Sequence, residues 1–163
     1  MTYTRDTALS VRSNIMGHLQ ERFQSVTPGT APWATYTVNW NLVQQAPLQK
    51  ADIIMGDALS LLDVKEKTEA VIGLYRCDLQ VAIEYYHAVD AGDDPSTSLN
   101  RLLTDVQRTM MSDIYCGQMS MNMVELGSEN DIGAQTDRTV HGVSFWKVTY
   151  QRKLNDPTKL RGE

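Results

Sequence analysis

The chain has 163 residues, 42% hydrophobic and 21% charged, which is the composition of one globular domain with a sizeable core. Its 20 acidic and 15 basic residues give a net charge of −5. The basic residues are scattered, which excludes the clustered Lys and Arg that grip nucleic acid. The one basic group, Arg152, Lys153, Lys159 and Arg161, reads as a solvated C-terminal tail.

The first element is a helix over "TRDTALSVRSNIMGHLQERF". Ala8, Val11, Ile15, Leu19 and Phe23 recur at spacings of three and four and form its apolar stripe. Gly17 interrupts the stripe's flank and leaves room for a neighbouring element to approach closely. "QSVTPGTAPW" follows as a loop, rich in Pro and Gly. "ATYTVNWNLV" has strand composition, with Tyr36, Val38, Trp40 and Leu42 on one face. Residues 24–47 are therefore expected to be a loop or a projecting arm. "ADIIMG" is a short buried strand, and "LSLLDVKEKTE" is either a short strand or a turn of helix.

"GLYRCDLQVAIEYYHA" alternates over its whole length. Tyr75, Cys77, Leu79, Val81, Ile83 and Tyr85 share one face; Arg76, Asp78, Gln80, Ala82 and Glu84 share the other. The second helix is signalled by Asp94 as N-cap, Pro95 at its first position and a stripe of Leu99, Leu102, Leu103, Val106 and Met110. Cys116, in "DIYCG", falls at a helix exit. "QMSMNMVELG" alternates again, and its methionines read as core packing. "SENDIGAQTDR" is a polar loop. "VHGVSFWKVTYQRKL" is the last strand, with Val140, Trp146, Val148 and Tyr150 on one face and His141, Val143, Phe145 and Lys147 on the other. Strands in runs, separated by helices, predict an α+β fold: one domain over residues 1–163, a mostly antiparallel sheet flanked by two main helices, ending in a tail over 153–163. Two helices cover one sheet face and leave the other partly bare.

No element carries a catalytic signature. HExxH, GxSxG, the phosphate-cradling loop and the dinucleotide fingerprint are all missing. His18, His87 and His141 read as surface or packing residues. Asp93 and Asp94 read as helix-capping groups, and Glu129 and Asp131 as a solvated loop, since neither stretch satisfies the calcium-loop spacing. Cys77 and Cys116 lack zinc spacing. A reducing cytoplasm suits them, with a disulfide between them left open. Met1 to Arg12 has no apolar signal region, and no run approaches the ~18 apolar residues of a membrane span. The expectation is a soluble protein without cofactor or metal, and not an enzyme.

Three stretches in order, "VRSNIMGHLQERF", "LYRCDLQVAIEYY" running into "PSTSLNRLLTDVQRTMMSD", and the closing "VSFWKVTYQRKLNDP", resemble the tail terminator (tail-completion, neck) proteins of long-tailed bacteriophages. The resemblance covers roughly Val11 to Pro157; Gln24 to Pro47 departs most from it. It implies a homohexameric ring that ends the tail tube, joins it to the head connector (the stopper) and lets DNA pass without sequence-specific binding. It further implies a place in the virion after assembly in the host cytoplasm. On that reading Arg76, Asp78, Gln80 and Glu84 face a neighbouring subunit or the channel. Trp33, Trp40, Glu129, Asp131 and Asp137, on the arm 33–47 and the loop 127–138, are candidates for contact with tube or connector. The net negative charge spares passing DNA an attractive wall. The alternatives are another neck, head-completion or tube-like virion protein, a small enzyme with an unrecognised carboxylate or histidine site, and a module binding a small ligand.

Overall fold

The computed structural model describes residues 3–25, 42–44, 58–89, 92–131 and 139–163. Helix α1 spans Val11–Ser25, strand β1 Leu42–Gln44, β2 Ala58–Val71 and β3 Leu74–Ala88. Helix α2 spans Pro95–Met111, followed by β4, Asn122–Asp131, and β5, Thr139–Lys153. The strands form one sheet in the order β1-β2-β3-β5-β4. Every pairing is antiparallel except the three-residue match of β1 to β2. This is the α+β single domain expected, with four long antiparallel strands and both helices contributing to a single core.

Helix α1 starts later than its periodicity predicts. Ser10 caps it, its Oγ accepting from the Ser13 amide at 3.1 Å. Asp6 turns the chain before that, its carboxylate accepting from the Ala8 amide at 2.9 Å, so Ala8 is exposed rather than part of the stripe. Val11, Ile15, Leu19 and Phe23 are buried as expected. Gly17 admits the Tyr3 ring: a Cβ there would lie 2.8 Å from the Tyr3 hydroxyl. Asn14, fully buried, ties this corner together. Its side chain accepts from Tyr3 Oη at 2.8 Å and the Asp6 amide at 2.7 Å, and donates to the Asp6 and Ser10 carbonyls at 2.8 and 3.0 Å.

Helix α2 begins as expected: Asp94 accepts from the Thr97 amide at 3.1 Å and Pro95 occupies the first turn. Leu99, Leu102, Val106 and Met110 are buried, and Leu103 packs against the core's edge. The C-terminal end of α2 is closed by Arg22 of α1, whose guanidinium donates to the Met110 and Asp113 carbonyls, each at 2.8 Å. A cation there also opposes the negative end of the helix dipole.

"LSLLDVKEKTE" belongs to a strand, and a long one. A bulge at Val64 adds one residue between the Asp63↔Val81 and Lys65↔Gln80 pairs. Asp63 and Glu66 thereby both point to the helical side of the sheet, where Arg12 binds Asp63 and reaches Glu66 at 3.2 Å. The alternation that marks a strand is broken by that extra residue. The polar loop expected over 128–138 is corrected likewise: Ser128–Asp131 continues β4. A second bulge, between Glu125 and Gly127, is taken up by Gly127 at φ +138°. Met119 and Met123 are buried, but Met121 is 49% exposed, so the methionines are only partly core.

Cys77 and Cys116 are buried free thiols. The basic residues expected in a solvated tail lie on a segment that folds back. Leu160 bridges to Arg152, the Val11 amide donates to the Pro157 carbonyl at 2.9 Å, and Arg5 grips Glu163 in a bidentate pair at 2.6 and 2.8 Å. Of the expected loop or arm over 24–47, residues 24–25 complete α1 and Leu42–Gln44 form β1; the rest of it, the "ADIIMG" strand and the 132–138 part of the loop lie outside the described residues. Among those described, no helix is long and apolar enough to cross a membrane.

Candidate functional site

Strand register sorts every residue of β2–β5 to one of two faces. On the helical side, Cys77, Leu79, Val81, Ile83 and Tyr85 of β3 meet Tyr150, Val148, Trp146, Ser144 and Gly142 of β5. All except Ser144 and Gly142 belong to the buried apolar core. Gly142 leaves room for the Tyr85 side chain: a Cβ there would lie 2.5 Å from its ring. Tyr85 crosses that gap and donates to Asn130 of β4 at 3.1 Å. Burial pushes its phenol pKa well above the ordinary value.

The opposite face is the candidate site. Its rows run across the strands: Glu69, Arg76 and Gln151; Lys67, Asp78, Thr149 and Asn122; Lys65, Gln80, Lys147 and Val124. Above them lie Leu62, Ala82, Phe145 and Gly127, then Ser60, Glu84, Val143 and Glu129. None of these residues joins the core cluster. Opposite charges sit at paired positions, Glu69 against Arg76 and Lys67 against Asp78, an arrangement that favours this register. A half-buried apolar band of Leu62, Val143 and Phe145 separates the lysine row from the acidic row.

All four β3 residues singled out in the sequence lie on this face. Arg76 is exposed. Asp78 accepts from Thr149 Oγ1 at 2.7 Å, and Glu84 lies 3.0 Å from His141 Nε2, so both carboxylates already have partners. Gln80 lies between them, partly buried. His141 is further fixed by Tyr86, whose ring stacks on it at 4.3 Å. Glu129 is exposed on the edge strand, and the Asp131 backbone is in register with His141 across β4–β5. Trp33, Trp40 and Asp137 lie outside the described residues. Alternation in β5 already placed Val143 and Phe145 on one face, but Leu62 comes from β2, and only the pairing register brings it beside them.

A second cluster of titratable groups lies where α1 meets the end of α2. His18 Nδ1 lies 3.0 Å from Arg22, His18 Nε2 3.7 Å from Asp113, and Arg22 3.7 Å from Cys116 Sγ. Burial, then Arg22, lowers the His18 pKa, while burial raises that of Cys116. A neutral imidazole turned to a guanidinium and a buried protonated thiol lack the base-to-nucleophile contact of covalent catalysis. The cluster closes a helix end instead. Among the described residues, no three His, Cys, Asp or Glu side chains converge as a metal site. In comparison with known proteins, no family model matches this chain and no curated sequence matches it.

Proposed function

We propose that this chain is a structural subunit of a ring at the head–tail junction of a long-tailed bacteriophage, a non-enzymatic part of the virion. The ring ends tail-tube polymerisation, joins the tube to the head connector and lets DNA through. The observation that carries this reading is the asymmetry of the sheet: strands of 14 and 15 residues with one face in the apolar core and the other, apart from buried Ser60, Ala82 and Thr149, carrying half-buried and exposed groups, many of them charged. The second carries an apolar band flanked by both signs of charge, which is the makeup of a surface that meets protein. The order of segments that resembles tail terminators supplies the partner class.

Energetics set what the band can do. Full burial of a Val, Leu or Phe contributes about 1.5–3 kcal/mol, and Leu62, Val143 and Phe145 are already half buried. The band alone is too weak for a stable ring; edge and flank contacts must add to it. A head-to-tail ring has such contacts by construction, since its two interfaces are different surfaces that close by rotation. The chain's net charge of −5 gives transiting DNA no general attraction.

The test is removal of the gene from its phage, followed by electron microscopy of the lysate. Tails of uncontrolled length, or tails detached from heads, are expected. Normal virions without this chain would end the proposal.

A further inference from the structure

The β2–β3 turn is built from Val71, Ile72, Gly73 and Leu74. Gly73, at φ +76°, takes the conformation a tight turn needs. Nothing in that turn requires an isoleucine beside it, yet Ile72 is 100% exposed. Ala70 and Val71 before it are exposed as well. A lone surface apolar residue is ordinary, but three in succession at the outermost point of a rigid hairpin are not. Such a tip contributes nothing to the monomer's core.

The same chain carries a matching recess. A cleft of about 220 Å³ opens where the C-terminal segment returns to β5. Met119, Met121 and Leu160 provide its apolar lining, with Gln151 and Arg161 at its rim. It has room for one branched aliphatic side chain. The cleft and the tip lie towards the same end of the sheet, but on different flanks: the tip joins β2 to β3, and the cleft borders β5 where β4 begins. Ile72 cannot enter the cleft of its own chain. Ile72 is fully exposed in the turn, whereas Gln151 at the cleft is in register with Arg76, four residues further along the chain. The charges also match: exposed Glu69 stands beside the tip and exposed Arg161 at the rim, where the one acidic lining residue, Glu163, is already bound by Arg5.

We infer that Ile72 of one copy seats in the Met119–Met121–Leu160 cleft of the next, forming the head-to-tail contact of the ring. The inference rests on the ring reading above and names its joint. A knob and a socket on different surfaces make a heterologous contact, and each copy then offers one of each. Closure follows if the strands tilt relative to the ring axis.

The experiment uses the full chain, alone and with its tail tubes. Ile72→Cys combined with Met121→Cys is expected to give an intermolecular disulfide ladder under mild oxidation, because the native thiols are buried. Ile72→Asp and Met121→Asp are each expected to raise the concentration for half-assembly at least tenfold. Mixed together, they should stop at a dimer joined through the one intact knob and socket. Both side chains are exposed, so unchanged thermal melting certifies the fold. Wild-type rings with no ladder, and rings that survive Ile72→Asp, would overturn the joint while leaving the ring standing. Loss of tube capping with rings intact would assign the tip to the tube and overturn the joint as well. A wild-type chain that stays monomeric even on tubes would overturn both.

Discussion

Gly142 lies beneath the Tyr85 ring, on the line of the hydrogen bond to Asn130. Gly142→Ala drives a methyl to 2.5 Å from that ring, and overpacking of this kind costs about 1–3 kcal/mol. Urea denaturation of the variant should find that loss; a wild-type midpoint would refute the close approach. Glu163 makes a pH prediction. Its hydrogen bonds from Arg5, then from the Leu160 amide, hold its carboxyl at about 2, below the ordinary 4.5. A depressed folded value means the tether stabilises fully above about pH 4.5 and is lost as pH falls towards 2. Titration by NMR should find the low value, and Arg5→Gln should raise it towards the ordinary range, the Leu160 amide still holding it below. Such details were hidden in the sequence. Asn14 looks like any polar helical residue, and only the fold brings Tyr3 and Asp6 onto it.

At the scale of elements, the capped helix α2 and the alternating strands β3 and β5 were legible because their signals are local. Asp94, Pro95 and a stripe of leucines need no tertiary context. Strand β2 was not legible, since the bulge at Val64 places Asp63 and Glu66 on one face and cancels the alternation. The end of β4 was hidden by polar residues, which an edge strand tolerates and a central strand does not. The joint between the helices gives this scale its prediction. Arg22→Leu removes charged hydrogen bonds to three carbonyls, those of Thr109 and Met110 within α2 and of Asp113 beyond it, each such bond being worth about 1.5–3 kcal/mol. The variant should melt lower. Because Arg22 helps to depress His18, the imidazole pKa should rise in the variant. An unmoved His18 would mean that burial alone sets its value.

For the whole molecule, a polar second face of the sheet could be anticipated from β3 alone, but the meeting of Leu62 with Val143 and Phe145 and the knob-and-socket pair could not. Both depend on strand order, which places β5 beside β3 and β4 at the edge. The four polar residues of β3 are now divided in role. Asp78 and Glu84 hold neighbours within the sheet, and Arg76 stands free at its lower end. The central claim is that one sheet serves a private core on one side and a shared wall on the other. Its most direct test is electron microscopy of this protein's own tail tubes after incubation with the purified chain. A closed ring seated on one tube end, with adjacent copies touching through their sheets, is the predicted image. Bare tube ends, or isolated copies whose sheets do not meet, would contradict it.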